Sequence, residues 1–374
     1  AFDNTVRVLD PHTGRSLATL EGHAASVYQV ELPNDGSFAV TRSDDRTVRR
    51  WDVSPGAADV LITHQAPVTD VAIAPDGMTV VSGSSAGDVS LHRLTTASRF
   101  MSTELRGSAV LSLALSPDGD LLATGRQDGS IRIVPVHRKA HQVMIETGGA
   151  APARLLFAPR ARRLAAVLRD GTVRLYEPDP IDPTMSPEPT PWRETQRFEL
   201  AGDTLHGADF DPSGERIVTI SERGVLHVWD PGTGRLERTI PVPGAEMLRA
   251  IAVAPDGRRV AVGGYGRVVH IVDLDSGQLL QTCLAHGGAV MDLAWLPDGS
   301  RVVSASTDRT LRVWDPDRGE AVCILFGHED ELRTLAVASD GSVVVSGGSD
   351  AVVRIWRGVP VMDAAPVSSP GTAR

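Results

Sequence analysis

The stretch HGGAVMDLAWLPDGSRVVSASTDRTLRVWD, from His286 to Asp315, holds three short segments rich in β-forming residues. The first, 289–296, is apolar almost throughout, as expected of a strand that is buried on both faces. Turn residues lead into 301–306 and then into 310–315, where apolar and polar residues alternate with the period of a β-strand. Together with EAVCILF at 320–326, the stretch predicts a unit of four antiparallel strands.

This unit recurs along the chain every 41 to 43 residues, with one longer step of 53 residues. A Trp or a replacement for it marks the third strand of each repeat, at Leu9, Trp51, His92, Val134, Tyr176, Trp229, Val272, Trp314 and Trp356. A period of about 40 to 45 residues is typical of β-propellers, in which each repeat forms one four-stranded blade. The 36 Gly and 25 Pro agree, because they punctuate many short strands. We therefore predict an all-β propeller.

Three repeats carry the same four residue types at identical offsets. The three sets are His23, Thr41, Asp45 and Trp51; His286, Ser304, Asp308 and Trp314; and His328, Ser346, Asp350 and Trp356. The repeat after the first set keeps only half of this pattern. His64 and Ser82 remain there, whereas Ala86 and His92 occupy the Asp and Trp positions.

With these marks the chain resembles the WD-repeat (WD40) family, in its bacterial type. The segments that carry the resemblance are Gly22-His23, Gly327-His328, the strands DRTVRRWD and DRTLRVWD, and turns such as SPDG at 116–119. The resemblance extends over about residues 3 to 356. It implies that His, Ser or Thr, Asp and Trp form one hydrogen-bonded relay within a blade. Such a relay is physically reasonable, because buried polar groups destabilise a fold unless they are paired.

The number of blades has two solutions. Eight sets of the first three strands can be counted, and Arg15–Leu20 could supply the outer strand that completes the blade of Leu332–Trp356. We favour this eight-bladed ring, with residues 1–357 as one propeller. The alternative is a seven-bladed ring over about residues 58 to 357, with the first 52 residues as an N-terminal overhang from an upstream propeller.

Two segments fall outside the repeat. The longer step contains a proline-rich insertion at 177–194, with six prolines between Glu177 and Trp192. Proline cannot donate to a strand ladder, so we expect an extended loop there. The tail at 358–374 is rich in small and polar residues, and we expect it to be disordered.

Composition bears on the partners and on the compartment. The net charge of −10 argues against nonspecific binding to nucleic acid or to an anionic membrane, both of which need a basic surface. No apolar run reaches the length of a membrane span. Cys283 and Cys323 are the two cysteines, and so few thiols favour a reducing, cytoplasmic setting.

The sequence also argues against an enzyme. Ser, His and Asp occur together in the repeated sets, but their recurrence with Trp indicates a structural role rather than a catalytic triad. His137 and His141 have a spacing that could bind a metal ion, yet no third ligand is evident nearby. No glycine-rich phosphate loop followed by Lys and Ser or Thr is present. We predict no catalytic residue, no metal and no cofactor.

Function is therefore expected on one face of the propeller. The resemblance to WD-repeat proteins implies which positions of each repeat point to this face. Among them, the side chains with the character of an interface hot spot are Tyr28, Met247, Arg249, Tyr265, Met291, Glu331 and Arg333. We predict a noncatalytic scaffold or sensor that binds a protein or peptide there, following an N-terminal effector domain as bacterial members of the family often do. The alternative is an enzyme or small-molecule binder that uses the central channel.

Overall fold

The computed structural model describes residues 6–9, 16–20, 25–31, 38–44, 48–52, 59–94, 99–103, 107–136, 142–179, 190–200, 203–245, 247–284 and 286–357. Every regular element within these ranges is a β-strand. The first six strands precede the repeats of the ring, and they are β1 (Val6–Leu9), β2 (Ser16–Leu20), β3 (Val27–Glu31), β4 (Phe38–Ser43), β5 (Val48–Asp52) and β6 (Asp59–Thr63).

Six successive groups of four antiparallel strands follow, each in the spatial order of the sequence, and we number them blades 1 to 6. Blades 1 to 3 contain β7 (Val68–Ile73), β8 (Thr79–Ser84), β9 (Val89–Arg93), β10 (Arg99–Thr103), β11 (Val110–Leu115), β12 (Leu121–Arg126), β13 (Ser130–Pro135), β14 (Val143–Glu146), β15 (Pro152–Phe157), β16 (Leu164–Leu168), β17 (Thr172–Pro178) and β18 (Trp192–Glu199). Blades 4 to 6 contain β19 (Leu205–Phe210), β20 (Ile217–Ser221), β21 (Val225–Asp230), β22 (Arg235–Pro241), β23 (Leu248–Val253), β24 (Arg259–Gly264), β25 (Val268–Asp273), β26 (Leu279–Leu284), β27 (Val290–Trp295), β28 (Val302–Ser306), β29 (Thr310–Asp315) and β30 (Glu320–Phe326).

Blade 7 closes the ring. It consists of β31 (Leu332–Val337), β32 (Val343–Gly348) and β33 (Val352–Arg357), with β6 as its outer strand. The pairing of β33 with β6 brings Val352 opposite Thr63. The first strand of each blade packs beside the first strand of the next, and β31 packs beside β7. The ring therefore has seven blades.

The favoured eight-bladed ring is wrong, and the connections give the physical reason. An outer strand leads directly into the first strand of the following blade, so β6, which precedes β7, must belong to the blade before blade 1. The amide of His64, just after β6, donates to the carbonyl of Ala351 in blade 7 at 2.8 Å, which fixes this closure. The expected closing segment at 15–20 instead forms β2, which pairs with β30 of blade 6 through Ala18 and Leu325.

The first 52 residues contribute strands outside the ring. β1 pairs with β2 and thereby extends the sheet of blade 6 to six strands, while β3, β4 and β5 form a separate three-stranded sheet. The proline-rich insertion lies in blade 3, where β17 and β18 pair as a hairpin up to Pro178 and Trp192. Residues 180–189 of that insertion, and the tail predicted to be disordered, fall outside the described residues.

Apolar residues fill the space between neighbouring blades. Between blades 5 and 6, for example, Ile271 and Val269 of β25 share one buried cluster with Leu293 of β27 and with Trp314 of β29. Sheets that pack face to face in this way interdigitate alternate side chains of each strand. The first strands of the blades therefore surround the central channel, and the residues at the ends of these strands lie at its two openings.

Candidate partner-binding face

Blade 6 contains a directed relay of hydrogen bonds. The indole Nε1–H of Trp314 donates to Ser304 Oγ at 2.8 Å, and that hydroxyl lies 2.6 Å from His286 Nε2. His286 Nδ1 is 2.7 Å from Asp308 Oδ2. Since indole can only donate and a carboxylate can only accept, the hydroxyl donates to Nε2 and the neutral imidazole donates from Nδ1.

The protonation states agree with this direction. Burial lowers the pKa of His286, and this effect outweighs the attraction of Asp308. Burial alone would raise the pKa of Asp308, but the hydrogen bonds from His286, Thr310 and the Gly287 amide hold it well below its usual value. Blade 6 therefore holds a neutral His beside an ionised Asp.

Blade 7 repeats the geometry. Trp356 Nε1 donates to Ser346 Oγ at 2.8 Å, the same hydroxyl is 2.8 Å from His328 Nε2, and His328 Nδ1 is 2.8 Å from Asp350 Oδ2. In blade 1 the surviving half of the pattern still makes its contact, with His64 Nε2 2.8 Å from Ser82 Oγ.

The described residues include only part of the first set. His23 and Asp45 lie outside the described residues, as does the side chain of Trp51, and Thr41 is buried in β4.

The relays also order the loops at one end of the blades. The Gly287 amide donates to Asp308 Oδ2 at 2.9 Å, and the Ala289 amide donates to Thr307 Oγ1 at 2.9 Å. These bonds tie the loop before the first strand to the turn between the second and third strands. Of the residues predicted to bind a partner, Met247, Tyr265 and Glu331 lie in these two kinds of loop. Arg249, Met291 and Arg333 lie at the adjoining starts of the first strands.

Seven equivalent positions, one from each blade, surround the mouth of the central channel at this end. We call them the mouth ring, and in order from blade 1 to blade 7 they are Thr69, Leu111, Ala153, His206, Arg249, Met291 and Arg333. The mouth encloses a cavity of about 120 Å³. Three predicted site residues, Arg249, Met291 and Arg333, therefore lie on consecutive blades of one ring.

Arg249 is held by two contacts. Its Nη1 is 2.9 Å from His206 Nδ1, and its guanidinium carbon lies 5.3 Å from the centre of the Tyr265 ring. Because a guanidinium can only donate, His206 Nδ1 accepts and the imidazole is neutral. Burial and the charge of Arg249 both lower the pKa of His206, in agreement with this state.

Two large apolar side chains lie next to Arg249 on blade 5. Met247 is 38% exposed and Tyr265 is 49% exposed, and the Tyr265 amide donates to the Met247 carbonyl at 3.4 Å. Met247 also has a φ of 49°, a left-handed conformation that is unusual for a residue other than glycine. The loop thus presents Met247 in a defined position at the surface.

Glu331 and Arg333 form the blade 7 part of the site. Arg333 Nε donates to Ser349 Oγ at 2.8 Å, and its Nη2 is 3.8 Å from a carboxylate oxygen of Glu331. Both side chains are exposed. Six of the seven predicted residues therefore occupy the ends of blades 5, 6 and 7 on one face.

Tyr28 is the exception. Its expected position beside blade 7 depended on the eight-bladed ring, in which its repeat would follow blade 7. In the seven-bladed ring that neighbour is blade 1, with Thr69 at the equivalent position, whereas Tyr28 lies in β3 of the separate sheet. The side chain of Tyr28 is outside the described residues.

Directly beneath the mouth ring lies a second ring that contains charged side chains. Its members, in the same order, are Asp70, Ser112, Arg154, Gly207, Ala250, Asp292 and Thr334. Arg154 Nη1 is 3.8 Å from Asp70 Oδ1, and the charges of Asp292, Asp70 and Asp209 outweigh desolvation and raise the pKa of Arg154. Arg154 is thus the shared cation of three carboxylates.

The carboxylates of this cluster also accept backbone amides of neighbouring blades. Asp70 Oδ2 accepts the Leu113 amide at 2.7 Å, and Asp292 Oδ2 accepts the Leu335 amide at 2.9 Å. Asp209, one layer deeper, accepts the Val253 amide at 2.9 Å, yet burial raises the pKa of Asp209 to about 6. The cluster is therefore part of the joints between blades.

Two members of this site, His206 and Arg154, are not among the predicted partner-binding residues. His206 stands at the same offset as Arg249, so the repeat places both at the mouth. Arg154 stands one residue beyond the mouth-ring position, where the other repeats have Asp, Ser, Thr or a small residue. Its long cationic side chain at a position occupied by acids in two other blades was a usable signal.

The candidate metal ligands and the two thiols were predicted to have no catalytic role. Among them there is no group of three or more His, Cys, Asp and Glu side chains that could hold a metal ion. Burial, with the charge of Asp315, raises the pKa of the Cys283 thiol to about 12, and both Cys283 and Cys323 are buried. No helix within the described ranges is long and apolar enough to cross a membrane.

Curated proteins with similar segments come from eukaryotes. Mitochondrial division protein 1 of Neurospora crassa is 42% identical over 59 residues, which are 16% of this chain and 9% of that protein. Nuclear distribution protein PAC1 of Arthroderma benhamiae is 38% identical over 61 residues, 16% of this chain and 13% of that protein. Target of rapamycin complex subunit LST8 of Saccharomyces cerevisiae is 33% identical over 84 residues, 22% of this chain and 28% of that protein. The chain thus matches less than a third of the length of each of these relatives.

A family profile gives the wider match. The family described as "WD domain, G-beta repeat" matches at residues 14–52, 58–92, 100–134, 277–315 and 319–357, which together make up half of the chain. These segments include both complete relays and the strand that closes the ring. With its closed ring of four-stranded blades, the chain belongs to the WD-repeat family.

Proposed function

We propose that this propeller is a noncatalytic interaction module that binds a protein or peptide on the face around the mouth ring. The observation that carries the proposal is the cluster on blade 5, where half-exposed Tyr265 lies against the guanidinium of Arg249 and half-exposed Met247 is joined to Tyr265 through the backbone. Aromatic, Met and Arg side chains are enriched at the centres of protein interfaces, because they give a large contact area. The names of the relatives agree in kind, since LST8 is named as a subunit of a complex.

The experiment compares two variants of the whole chain as baits. Arg249→Ala/Tyr265→Ala/Arg333→Ala removes the proposed contacts, and Gln127→Ala/Arg169→Ala removes exposed side chains at the same end of blades 2 and 3. We expect the first variant to lose the co-purified partner while its melting temperature stays within about 2 °C of the parent, since Tyr265 and Arg333 are exposed and Arg249 is only partly buried. Capture that is undiminished, or lost equally in both variants, would reject the site.

The central channel is the basis of a second candidate function. Beyond the charged cluster it opens into a cavity of about 610 Å³, lined by apolar side chains with Asp209 and Arg154 at its inner end. A cavity of this size could hold a small molecule. Ligand screening by thermal shift, with Asp209→Asn as the control variant, would separate this candidate from the first, because a channel ligand should be insensitive to the triple replacement on the face.

The biological setting is part of the same proposal. We propose a bacterial, cytoplasmic protein in which an effector domain accompanies the propeller, with no role in nucleic acid or membrane binding. The resemblance of the repeats, the net charge of −10 and the two buried cysteines support it. The similar proteins named above are eukaryotic, so the sequence of the parent gene and its genomic context would test the bacterial assignment.

A further inference from the structure

Arg249 is partly buried at the mouth ring beside neutral groups. Its polar contact is a neutral His206, its planar contact is Tyr265, and no carboxylate among the described residues lies within ion-pair distance of it. Its Nε is buried and has no hydrogen-bond partner there. Two other partly buried arginines differ in this respect, since Arg163 and Arg259 lie 2.6 and 2.7 Å from carboxylate oxygens.

This environment favours an external anion. A guanidinium that is partly removed from water without a counter-charge is disfavoured, and an interface that supplies the charge recovers that free energy. Arg333, two blades along the mouth ring, adds a second cation whose Glu331 contact, at 3.8 Å, is long and exposed. The neutral His206, which lines the cavity beside Arg249, carries no negative charge.

On this basis we infer that the partner, on the proposed face, inserts one carboxylate side chain at the mouth ring, where it pairs with Arg249 and faces Arg333. The inference rests on the proposed docking function and adds the chemistry of the partner. The ligand is an acidic residue of a peptide segment, flanked by apolar side chains that cover Met247 and Tyr265. Leu284, at the end of the outer strand β26 of the same blade, is 69% exposed and adds apolar surface to blade 5.

The charges at the mouth favour a monoanion. Asp70, Asp209 and Asp292 share the cation Arg154, and burial raises the pKa of Asp209 to about 6 and also raises the pKa of Asp292, while Glu331 lies beside Arg333. One negative charge balances Arg249, whereas the second charge of a phosphate dianion would have to be balanced by Arg333, which already lies beside Glu331. The site is therefore assigned to Asp or Glu rather than to a phosphorylated residue.

The test starts from peptides selected on the whole chain. A library of random dodecapeptides displayed on phage is the probe, and selected peptides are synthesised with Glu, Gln or phosphoserine at the acidic position. We expect Asp or Glu to be enriched at one position between apolar residues, and we expect Glu→Gln to weaken binding about tenfold or more, as for a desolvated charge pair. Phosphoserine should bind more weakly than Glu.

Variants of the chain show whether Arg249 is the partner of that carboxylate. In Arg249→Gln, the Glu and Gln peptides should bind within about twofold of each other, and selection on Arg249→Glu should enrich Lys or Arg at the same position. Arg223→Gln, at an arginine that is 72% exposed on blade 4, is the matched control and should keep the preference for Glu. Melting curves identify any variant that fails to fold, and Arg333→Gln then provides a second test, with a smaller loss of the same preference.

The outcomes separate the two proposals. Three results would overturn the inference and leave the docking face intact. They are selected peptides that bind the face without an acidic position, a preference for Glu that persists in Arg249→Gln, and tighter binding of the phosphoserine peptide. If no peptide is selected, or if the selected peptides ignore the triple replacement, the docking face itself is rejected.

Discussion

Removing the hydroxyl at the centre of the blade 6 relay should measure what the relay contributes. Ser304 is fully buried, and its Oγ joins the indole of Trp314 to His286. Ser304→Ala leaves the indole N–H and His286 Nε2 without their partner. Each buried group that loses its hydrogen bond costs about 1–3 kcal/mol, so we expect the free energy of unfolding to fall by about 2–6 kcal/mol for the two groups.

A second buried serine provides the matched control. Ser221, in the second strand of blade 4, is also fully buried, but its Oγ has no hydrogen-bond partner among the described residues. Ser221→Ala removes the same atom from an equally buried site and breaks no bond. Its expected effect is within about 0.5 kcal/mol of zero, or slightly stabilising, because an unpaired hydroxyl is replaced by a methyl group.

Urea unfolding of the parent and both variants, with hydrogen exchange of the native proteins, is the assay. The Ser304→Ala midpoint should be clearly lower at an unchanged slope, whereas the Ser221→Ala midpoint should coincide with the parent. The Gly287 amide, which donates to Asp308 in the same relay, should exchange faster only in Ser304→Ala. Equal midpoints for the two variants would refute the view that the relay, rather than burial of the serine, stabilises the blade.

Three further predictions concern the buried charged and titratable groups. Arg154→Met leaves Asp70, Asp209 and Asp292 without their cation, so we expect the free energy of unfolding to fall by about 1–3 kcal/mol at pH 8. The decrease should be smaller at pH 5, because Asp209, with a pKa of about 6, is then protonated. An equal decrease at both pH values in urea unfolding would contradict this prediction. Burial lowers the pKa of His227 and of His270, so both are neutral in the folded protein at neutral pH. In the unfolded chain they take up protons below about pH 6.5, so acidification favours unfolding and the stability present above that pH is lost. The parent should therefore lose more stability between pH 7 and pH 5 than His227→Gln/His270→Gln, and identical pH profiles would count against this. Burial raises the pKa of Cys283 to about 12 and also covers Cys323, so iodoacetamide at pH 8 should label both thiols in urea and neither in the folded protein, as read by mass spectrometry.

The repeat unit could be predicted because its signals are local. The alternation of residues along 310–315, the PDG turns and the identical offsets of the polar sets all lie within one blade, and the distances within blades 6 and 7 follow from them. The blade count could not be predicted in this way. It depends on which of two similar strands, Ser16–Leu20 or Asp59–Thr63, pairs with Val352–Arg357, and both have the composition of an outer strand.

The candidate site also has a part that the repeat predicts and a part that it does not. The repeat offsets placed Arg249, Met291 and Arg333 correctly at equivalent positions of the mouth ring, because these positions repeat with the blades. The prediction that Tyr28 lies beside blade 7 was wrong, because it depended on a ring of eight blades. The pairing of Arg249 with His206 and the position of Arg154 among three acids depend on side-chain directions across the channel, and no spacing within a single repeat contains that information.

The structure beneath the mouth explains why the proposed partner site is rigid. In the second ring, Thr334, Asp70, Ser112 and Asp292 each accept a backbone amide of the next blade, at 3.2, 2.7, 3.0 and 2.9 Å. Gly207 and Ala250, which carry no polar side chain, directly follow Arg154 in the ring, and Arg154 is the residue that joins the acids across the channel. The floor of the mouth is thus fixed by bonds between blades and by one shared cation. A carboxylate that binds Arg249 therefore meets a preorganised surface, and little of its binding free energy is lost to ordering the protein.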